Sequence, residues 1–262
     1  MSYSISKSNK INRSSIRRST DDDLKAIHKW IIEEDTRDVQ GNFLCNWRLT
    51  KESHEDGDLI VYIDGKAKIP VAYQWGSLLC SGILQVKEDF RSKKIGSKMV
   101  KHRIKQAYKN DECILNIQCE PPSSIPFWEK MGFVIYTERY KKYGYQILGK
   151  TLPLPDDGKS VNVIIRFFPE DRKWSDELIL PLECFSPLSV KTDDNVIHLG
   201  KRVSFFEYIY SRNTGRDVVV EIEVDGEIIY SDKAKYKEAE YRGMKRCRNG
   251  FYIDKIQGRR AD

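Results

Sequence analysis

Residues 84–100 read L-Q-V-K-E-D-F-R-S-K-K-I-G-S-K-M-V: a short apolar strand, a charged turn and an amphipathic helix, with no spacer between them. That order makes an anion site. The first N–H groups of a helix lack intrahelical acceptors, and the helix dipole places partial positive charge at the same end. A phosphate group suits both features. Gly96 removes the Cβ that would hold a ligand off the backbone, and Arg91, Lys93, Lys94 and Lys98 add attraction over a longer range. A second stretch, Phe127-Trp128-Glu129-Lys130-Met131-Gly132-Phe133, sets aromatic and cationic groups on a short helix that stops at glycine.

These groups need a scaffold, and the flanking pattern predicts one. Residues 15–18 suit a short strand. Ser19 or Thr20 caps a helix opening with Asp21, Asp22 and Asp23, and Leu24, Ile27 and Ile31 recur at helical spacing. Glu33, Glu34, Asp35 and Asp38 are read as a solvated helix end, and 51–58 as a polar loop. Residues 59–63, the turn Asp64-Gly65 and residues 69–75 read as antiparallel strands, with 82–86 as a third. The helix over 95–110 aligns Ile95, Met99, Val100, Ile104, Ala107 and Tyr108 on one stripe. A strand over 114–119 is stopped by Pro121 and Pro122, a helix covers about 125–131, and 133–140 forms the returning strand. The whole is an α+β plan with a central mixed sheet.

Over about residues 13–148 this plan resembles the GNAT-type N-acetyltransferase superfamily. The family's cofactor loop, [Q/R]-x-x-G-x-[G/A], is matched by Arg91-Ser92-Lys93-Lys94-Ile95-Gly96. Its second signature, F-Y-E-K-x-G-F, is matched by Phe127 to Phe133. The resemblance implies acetyl-CoA as cosubstrate and attack by an amine within a ternary complex. Its diphosphate would lie on the N–H groups of Lys94, Ile95, Gly96 and Ser97. The pantetheine arm would run beside Leu84, Gln85 and Val86, and Ser92, Phe127, Trp128 and Lys130 would complete the binding surface. A backbone N–H near Val86 would stabilise the oxyanion.

Two departures accompany the resemblance. Lys94 stands where the pattern has its first glycine, and a left-handed backbone there would cost lysine about 1 kcal/mol. Trp128 stands where many members carry the tyrosine that protonates the leaving thiolate, and indole N–H is no general acid near neutral pH. Glu120, ending its strand, is either the general base or a cap on the proline turn; Tyr136 and Tyr140 are candidates for the missing acid or ordinary rim residues.

Beyond Lys150 the pattern changes. Residues 150–158 are turn-rich and read as a linker between a domain over 15–149 and a smaller, all-β sandwich or barrel over 159–262. Val161, Val163, Ile165 and Phe167 alternate with other residues, as do Val218, Val220, Ile222 and Val224; Val203 and Phe205 continue to Tyr208 and Tyr210 less cleanly. Residues 233–260 are polar and basic with interleaved aromatic residues, either a nucleic-acid contact or, as preferred here, an exposed helix and edge strand. Residues 1–14 read as a disordered leader.

Composition narrows the function. No apolar run approaches the ~20 residues of a transmembrane helix, and the cysteines and histidines show no metal-ligand spacing, so neither membrane nor metal is expected. The 6 cysteines suit a reduced, cytoplasmic protein. The net charge of +6 lies wholly in the first half, the half that carries the anion loop. The expected activity is acetyl transfer to an amine on a protein or other macromolecule, with the β-rich domain helping to choose a protein partner and a homodimer possible. The alternatives are a catalytically impaired coenzyme A-binding module, or a toxin-like enzyme acting on aminoacyl-tRNA.

Overall fold

Helix α1 (Asp21–Asp35) starts at a capping box: Thr20 Oγ1 accepts from the Asp23 N–H at 3.3 Å, and the Asp23 carboxylate accepts from the Thr20 N–H at 2.8 Å. Its apolar face buries Ile27, Trp30 and Ile31. The computed structural model describes residues 14–173, 178–207, 210 and 214–258. Most of the expected leader, Tyr208, Arg259 and Arg260 lie outside the described residues. The chain divides into two compact units, one comprising described residues up to Ala107 with Ile117–Met131, the other Tyr108–Asn116 with the residues from Gly132 onward.

In the first unit, β1 (Ser15–Arg18), β2 (Ile60–Ile63), β3 (Pro70–Trp75) and β4 (Ile83–Val86) form an antiparallel sheet in chain order. Strand alternation splits the side chains between two helices. Val61, Tyr73 and Ile83 pack on α1 through Ile27, Trp30 and Ile31. Ile60, Tyr62 and Ala72 pack on Ile95 and Met99 of α3 (Ile95–Lys109). The expected polar loop over 51–58 is instead mostly helix: α2 (Trp47–Glu55) turns Thr50 inward, where its hydroxyl accepts from Trp75 Nε1 at 3.1 Å. One inward-facing polar residue among charged neighbours leaves no apolar stripe to read. Residues Ile125–Lys130 form α4.

Strand β5 (Ile114–Gln118), whose first three residues fall in the second unit, makes a sheet with β6 (Val134–Glu138) and β7 (Lys141–Ile147) of that unit, in the order β5-β7-β6. The single returning strand expected over 133–140 is thus a hairpin, turning at Arg139 and Tyr140, which both take positive φ. After it come β8 (Lys159–Ser160), β9 (Val163–Pro169), β10 (Glu183–Phe185), β11 (Ser189–Lys191), β12 (Val196–Phe205), β13 (Val218–Val224), β14 (Glu227–Lys233), β15 (Met244–Cys247) and β16 (Gly250–Gln257). They build two antiparallel sheets, β10-β9-β13-β14 and β15-β16-β12-β11-β8. A single apolar core joins Ile165 and Phe167 of β9, Val220 and Ile222 of β13, Leu199 and Phe205 of β12, and Phe251 and Ile253 of β16. This is a β-sandwich. The presumed edge strand near the C-terminus holds the interior position between β15 and β12, because Phe251, Ile253 and Ile256 point inward. Residues 150–158 begin by bonding to β12: the Arg202 N–H donates to Lys150 O at 2.9 Å and the Leu152 N–H to Gly200 O at 3.0 Å.

Candidate active site

A cleft of about 590 Å³ opens in the first unit. It is lined by Gln40, Gly41 and Phe43 after α1, by Leu84, Gln85 and Val86 of β4, by the turn into α3, and by Glu120, Pro121 and α4 residues. Arg91, Ser92, Lys94, Ile95, Gly96, Ser97, Phe127 and Lys130 all reach it. The two sequence stretches with chemical promise therefore meet in one place.

The turn presents its backbone at close range to the cleft. Ser92 and Lys94 have φ of 60° and 62°, the left-handed region, and the turn folds tightly into α3. The Lys98 N–H donates to Lys94 O at 3.1 Å, so the N–H groups of Ile95, Gly96 and Ser97 precede the first helical hydrogen bond. Lys94 accepts the strain of the position that the resembled loop pattern gives to glycine, about 1 kcal/mol. A Cβ on Gly96 would stand 3.3 Å from Phe127 Cζ and 3.7 Å from Val86 Cγ2. The glycine thus serves aromatic packing across the cleft as well as ligand approach.

The cations divide. Lys94 and Lys130 line the cleft, and among the described residues neither forms an ion pair. Arg91 is a strut: Nε donates to Val86 O at 3.1 Å and Nη1 to Gln40 O at 2.9 Å, tying β4 to the loop after α1. Lys93 turns back to Asp89 O at 2.7 Å and over the Phe90 ring, and Lys98 donates to Tyr62 Oη at 3.1 Å. Their charge reaches the cleft only at a distance.

Strand β4 is the last of its sheet. The Lys87 N–H donates inward to Val71 O at 2.9 Å, so the two-residue period of the strand turns the main chain of Val86 and Leu84 outward. The outward Val86 carbonyl is taken by Arg91, which leaves the Val86 N–H facing the open edge. Gln85 turns inward and is buried. Its Oε1 accepts from the Phe43 N–H at 3.1 Å and from Tyr73 Oη at 2.9 Å, and its Nε2 donates to Glu34 at 3.2 Å. Glu34 also accepts from the Glu88 N–H at 2.7 Å. The expected solvated acidic stretch is therefore corrected at Glu34, which has 0% exposure, whereas Glu33, Asp35 and Asp38 are exposed. Burial pushes the Tyr73 phenol well above its ordinary range.

The remaining candidates fall as follows. Glu120 is exposed and lines the cleft beside Pro121 and the hydroxyl-bearing Ser123 and Ser124. Gly41, with φ of 73°, lets the loop after α1 close on Pro121; an added Cβ would meet Pro121 Cδ at 3.2 Å. Trp128 is 8% exposed and packs edge-on to Phe127 at 5.0 Å, so Phe127 rather than Trp128 faces the cleft. Tyr136 and Tyr140 belong to the second unit. There Tyr136 Oη accepts from Asn116 Nδ2 at 2.8 Å and its ring stacks on Tyr143 at 5.6 Å, while Tyr140 is fully exposed on the hairpin turn. Sequence reasoning did not single out Gln40, Gly41, Phe43 or Ser123. The loop that brings in Gln40, Gly41 and Phe43 bears no motif, and only its single glycine marked a special backbone; Ser123 lies in the turn after Pro121.

The sequence profile of the acetyltransferase (GNAT) family matches residues 24–133. An acetyltransferase of the GNAT family from Staphylococcus aureus Mu50 is similar at 12% identity, covering 52% of this chain and 99% of its own, with a TM-score of 0.42. Ard1 from Thermoplasma volcanium is similar at 18% identity over 52% of this chain and 97% of its own, with a TM-score of 0.39. The PaiA N-acetyltransferase from Thermoplasma acidophilum, in complex with coenzyme A, aligns at 14% identity over 52% of this chain and 99% of its own, with a TM-score of 0.38. No curated protein matches the chain in sequence. The family match lies within the half of the chain that carries the cleft, and the β-sandwich strands from β8 onward lie outside it.

Proposed function

We propose that this protein transfers an acetyl group from acetyl-CoA to an amine carried by a protein or another macromolecule, by direct attack in a ternary complex. One observation carries the reading: the anion-binding start of α3 and the open edge of β4 line the same cleft. The N–H groups of Ile95, Gly96 and Ser97, with Lys94 and Lys130, hold the diphosphate. The outward main chain of Leu84 pairs with the amides of the arm, and Phe127 packs beside it. Bound acetyl-CoA supplies the thioester carbonyl that the amine attacks.

The chain's own groups then act on that centre. The outward Val86 N–H is placed to stabilise the oxyanion, an interaction typically worth ~3–4 kcal/mol. Glu120, exposed at the cleft, takes the amine proton directly or through water. A cytoplasmic setting fits the free cysteines. The β-sandwich presents the surface that selects the acceptor.

Thiol release from acetyl-CoA in the presence of protein amines and of aminoacyl-tRNA tests the reading. Gly96→Glu abolishes release by setting a carboxylate among the phosphates, and Glu120→Gln lowers kcat by about 10²-fold with coenzyme A affinity retained. Release with charged tRNA alone would move the acceptor to the RNA-linked class. Burial of Trp128 favours a second reading, a coenzyme A-binding module without turnover, because no α4 phenol enters the cleft. Coenzyme A binding in calorimetry with no thiol released on any acceptor would select it.

A further inference from the structure

The second unit holds a chemically loaded cluster that acetyl transfer does not use. Asn249, in the turn of the β15–β16 hairpin, donates from Nδ2 to Ile114 O at 3.1 Å, and a Cβ on Gly250 would stand 3.1 Å from Ile114 Cδ1. The start of β5 is thereby held against this hairpin. Cys247, the last residue of β15, packs in one cluster with Cys113, Ile114 and Phe206, although Cys113 and Cys247 lie far apart in the chain. As residues, Cys113 is buried and Cys247 half-buried. Arg202 fixes the neighbourhood. It donates bidentately to Asp254 at 2.7 and 2.6 Å and to Asp111 at 3.1 and 3.2 Å, and Nη1 also reaches Cys113 Sγ at 3.2 Å.

We propose that Cys247 and Cys113 form a redox-active dithiol site whose substrate is a hydroperoxide, with Cys247 as the reacting thiol and Cys113 as the resolving thiol. The electrostatics agree. A hydrogen bond from the Cys113 thiol, with support from the N–H groups of Asn249 and Gly250, outweighs burial and holds the Cys247 thiol down to about 7. The same hydrogen bond, together with burial, outweighs the Arg202 guanidinium beside the sulfur and pushes the Cys113 thiol up, so it keeps its proton until it resolves. In the first step the Cys247 thiolate attacks one oxygen of hydrogen peroxide. The S–O bond forms, the O–O bond breaks, and the departing hydroxide takes a proton to become water, leaving a sulfenic acid. In the second step Cys113 sulfur attacks Cys247 sulfur and loses its proton; the S–S bond forms, the S–O bond breaks, and water leaves. Two thiols have lost two electrons and the peroxide has become two waters. A dithiol reductant reverses the change.

The other cysteines supply controls. Cys119 is buried and its thiol is pushed up to about 11 by that burial, so it is slow to react. Cys45, on the single turn Leu44–Asn46, and Cys184, on β10, are exposed, and neither belongs to this cluster.

The full chain is treated with hydrogen peroxide under native conditions, alkylated, digested and examined by mass spectrometry without reductant. The expected result is one linked peptide pair, Cys113 with Cys247, loss of two alkylatable thiols, a Tm higher by several degrees and full reversal by dithiothreitol. Cys113→Ser should leave Cys247 as a sulfenic acid trapped by dimedone, and Cys247→Ser should leave Cys113 reduced. These conservative variants test the assignment even if the disulfide itself forms slowly. Peroxide treatment that leaves both thiols free, or that links Cys247 to a different cysteine, overturns the proposal.

Discussion

Lys94 is pulled in opposite directions by its backbone and its ammonium. Its φ of 62° is costly for any residue with a Cβ, yet its side chain reaches a cleft where an anion is expected. Lys94→Gly should therefore separate the two effects. Relief of strain and the extra freedom of glycine in the unfolded chain nearly cancel, so stability in urea should change by less than about 1 kcal/mol. Coenzyme A affinity, measured by calorimetry, should fall about 3- to 10-fold, the loss of one partly screened charge contact. An unchanged affinity would remove Lys94 from the phosphate site. Gly96→Ala is a milder probe than the charged variant. Its Cβ, 3.3 Å from the Phe127 ring, forces the ring to give by a few tenths of an ångström, and coenzyme A affinity should weaken about tenfold with a fold unchanged by circular dichroism.

At the scale of elements, the inner wall of the cleft is held by one buried chain of hydrogen bonds. It runs from the Phe43 N–H and Tyr73 Oη through Gln85 to Glu34, and from Glu34 to the Glu88 N–H, so it ties α1, β3, β4 and the turn after β4 together. Glu34→Ala strands the Gln85 amide and the Glu88 N–H in a dry interior and should cost about 2–4 kcal/mol in urea unfolding. Glu34→Gln keeps an acceptor and should cost less than half as much; equal losses would show that packing, not hydrogen bonding, sets the value. The opposite end of α1 carries an acid-sensitive element. Burial raises the Asp23 carboxyl, but hydrogen bonds from Arg17 and Thr20 outweigh it and hold the group below its ordinary range. A lowered folded-state value means that the contribution is present above about pH 4 and is lost as the pH falls through the folded-state value. Asp23→Asn should cost about 1 kcal/mol at neutral pH and flatten that acid limb. A parallel acid limb in the variant would assign it to other carboxylates.

At the scale of the molecule, the compact units and the motif-bearing half do not share a boundary. The β6–β7 hairpin belongs with the C-terminal strands: Tyr145 stacks on Phe206 at 4.4 Å, and Tyr136 meets the same ring at 5.8 Å. A chain ending at Gly149 would expose that aromatic face. It should bind a hydrophobic dye and aggregate at concentrations where the full chain stays monodisperse by light scattering; a well-behaved fragment would contradict this. Arg202 is a second whole-unit contact, with its side chain 2% exposed between Asp254 and Asp111. Arg202→Ala leaves the Asp254 carboxylate partly buried without its partner and should cost about 3–5 kcal/mol in urea unfolding.

The sequence by itself determined what is local. Asp21 to Asp23 after Thr20 marked a helix start, the strand–turn–helix at 84–100 marked an anion site, and alternation in β9 and β13 marked strands of a β-rich domain, because capping, dipole and side-chain period act over a few residues. Only the tertiary structure decided which charges are spent and which are free. Glu34 and Glu33 are chemically equal neighbours, yet one is sealed under β4 and the other is in water. Arg91 and Lys94 share one turn, yet one is a strut and the other lines the cleft without an ion-pair partner among the described residues. Those outcomes depend on Gln85, Val86 and Gln40, partners brought close by the fold, and no short-range pattern records them.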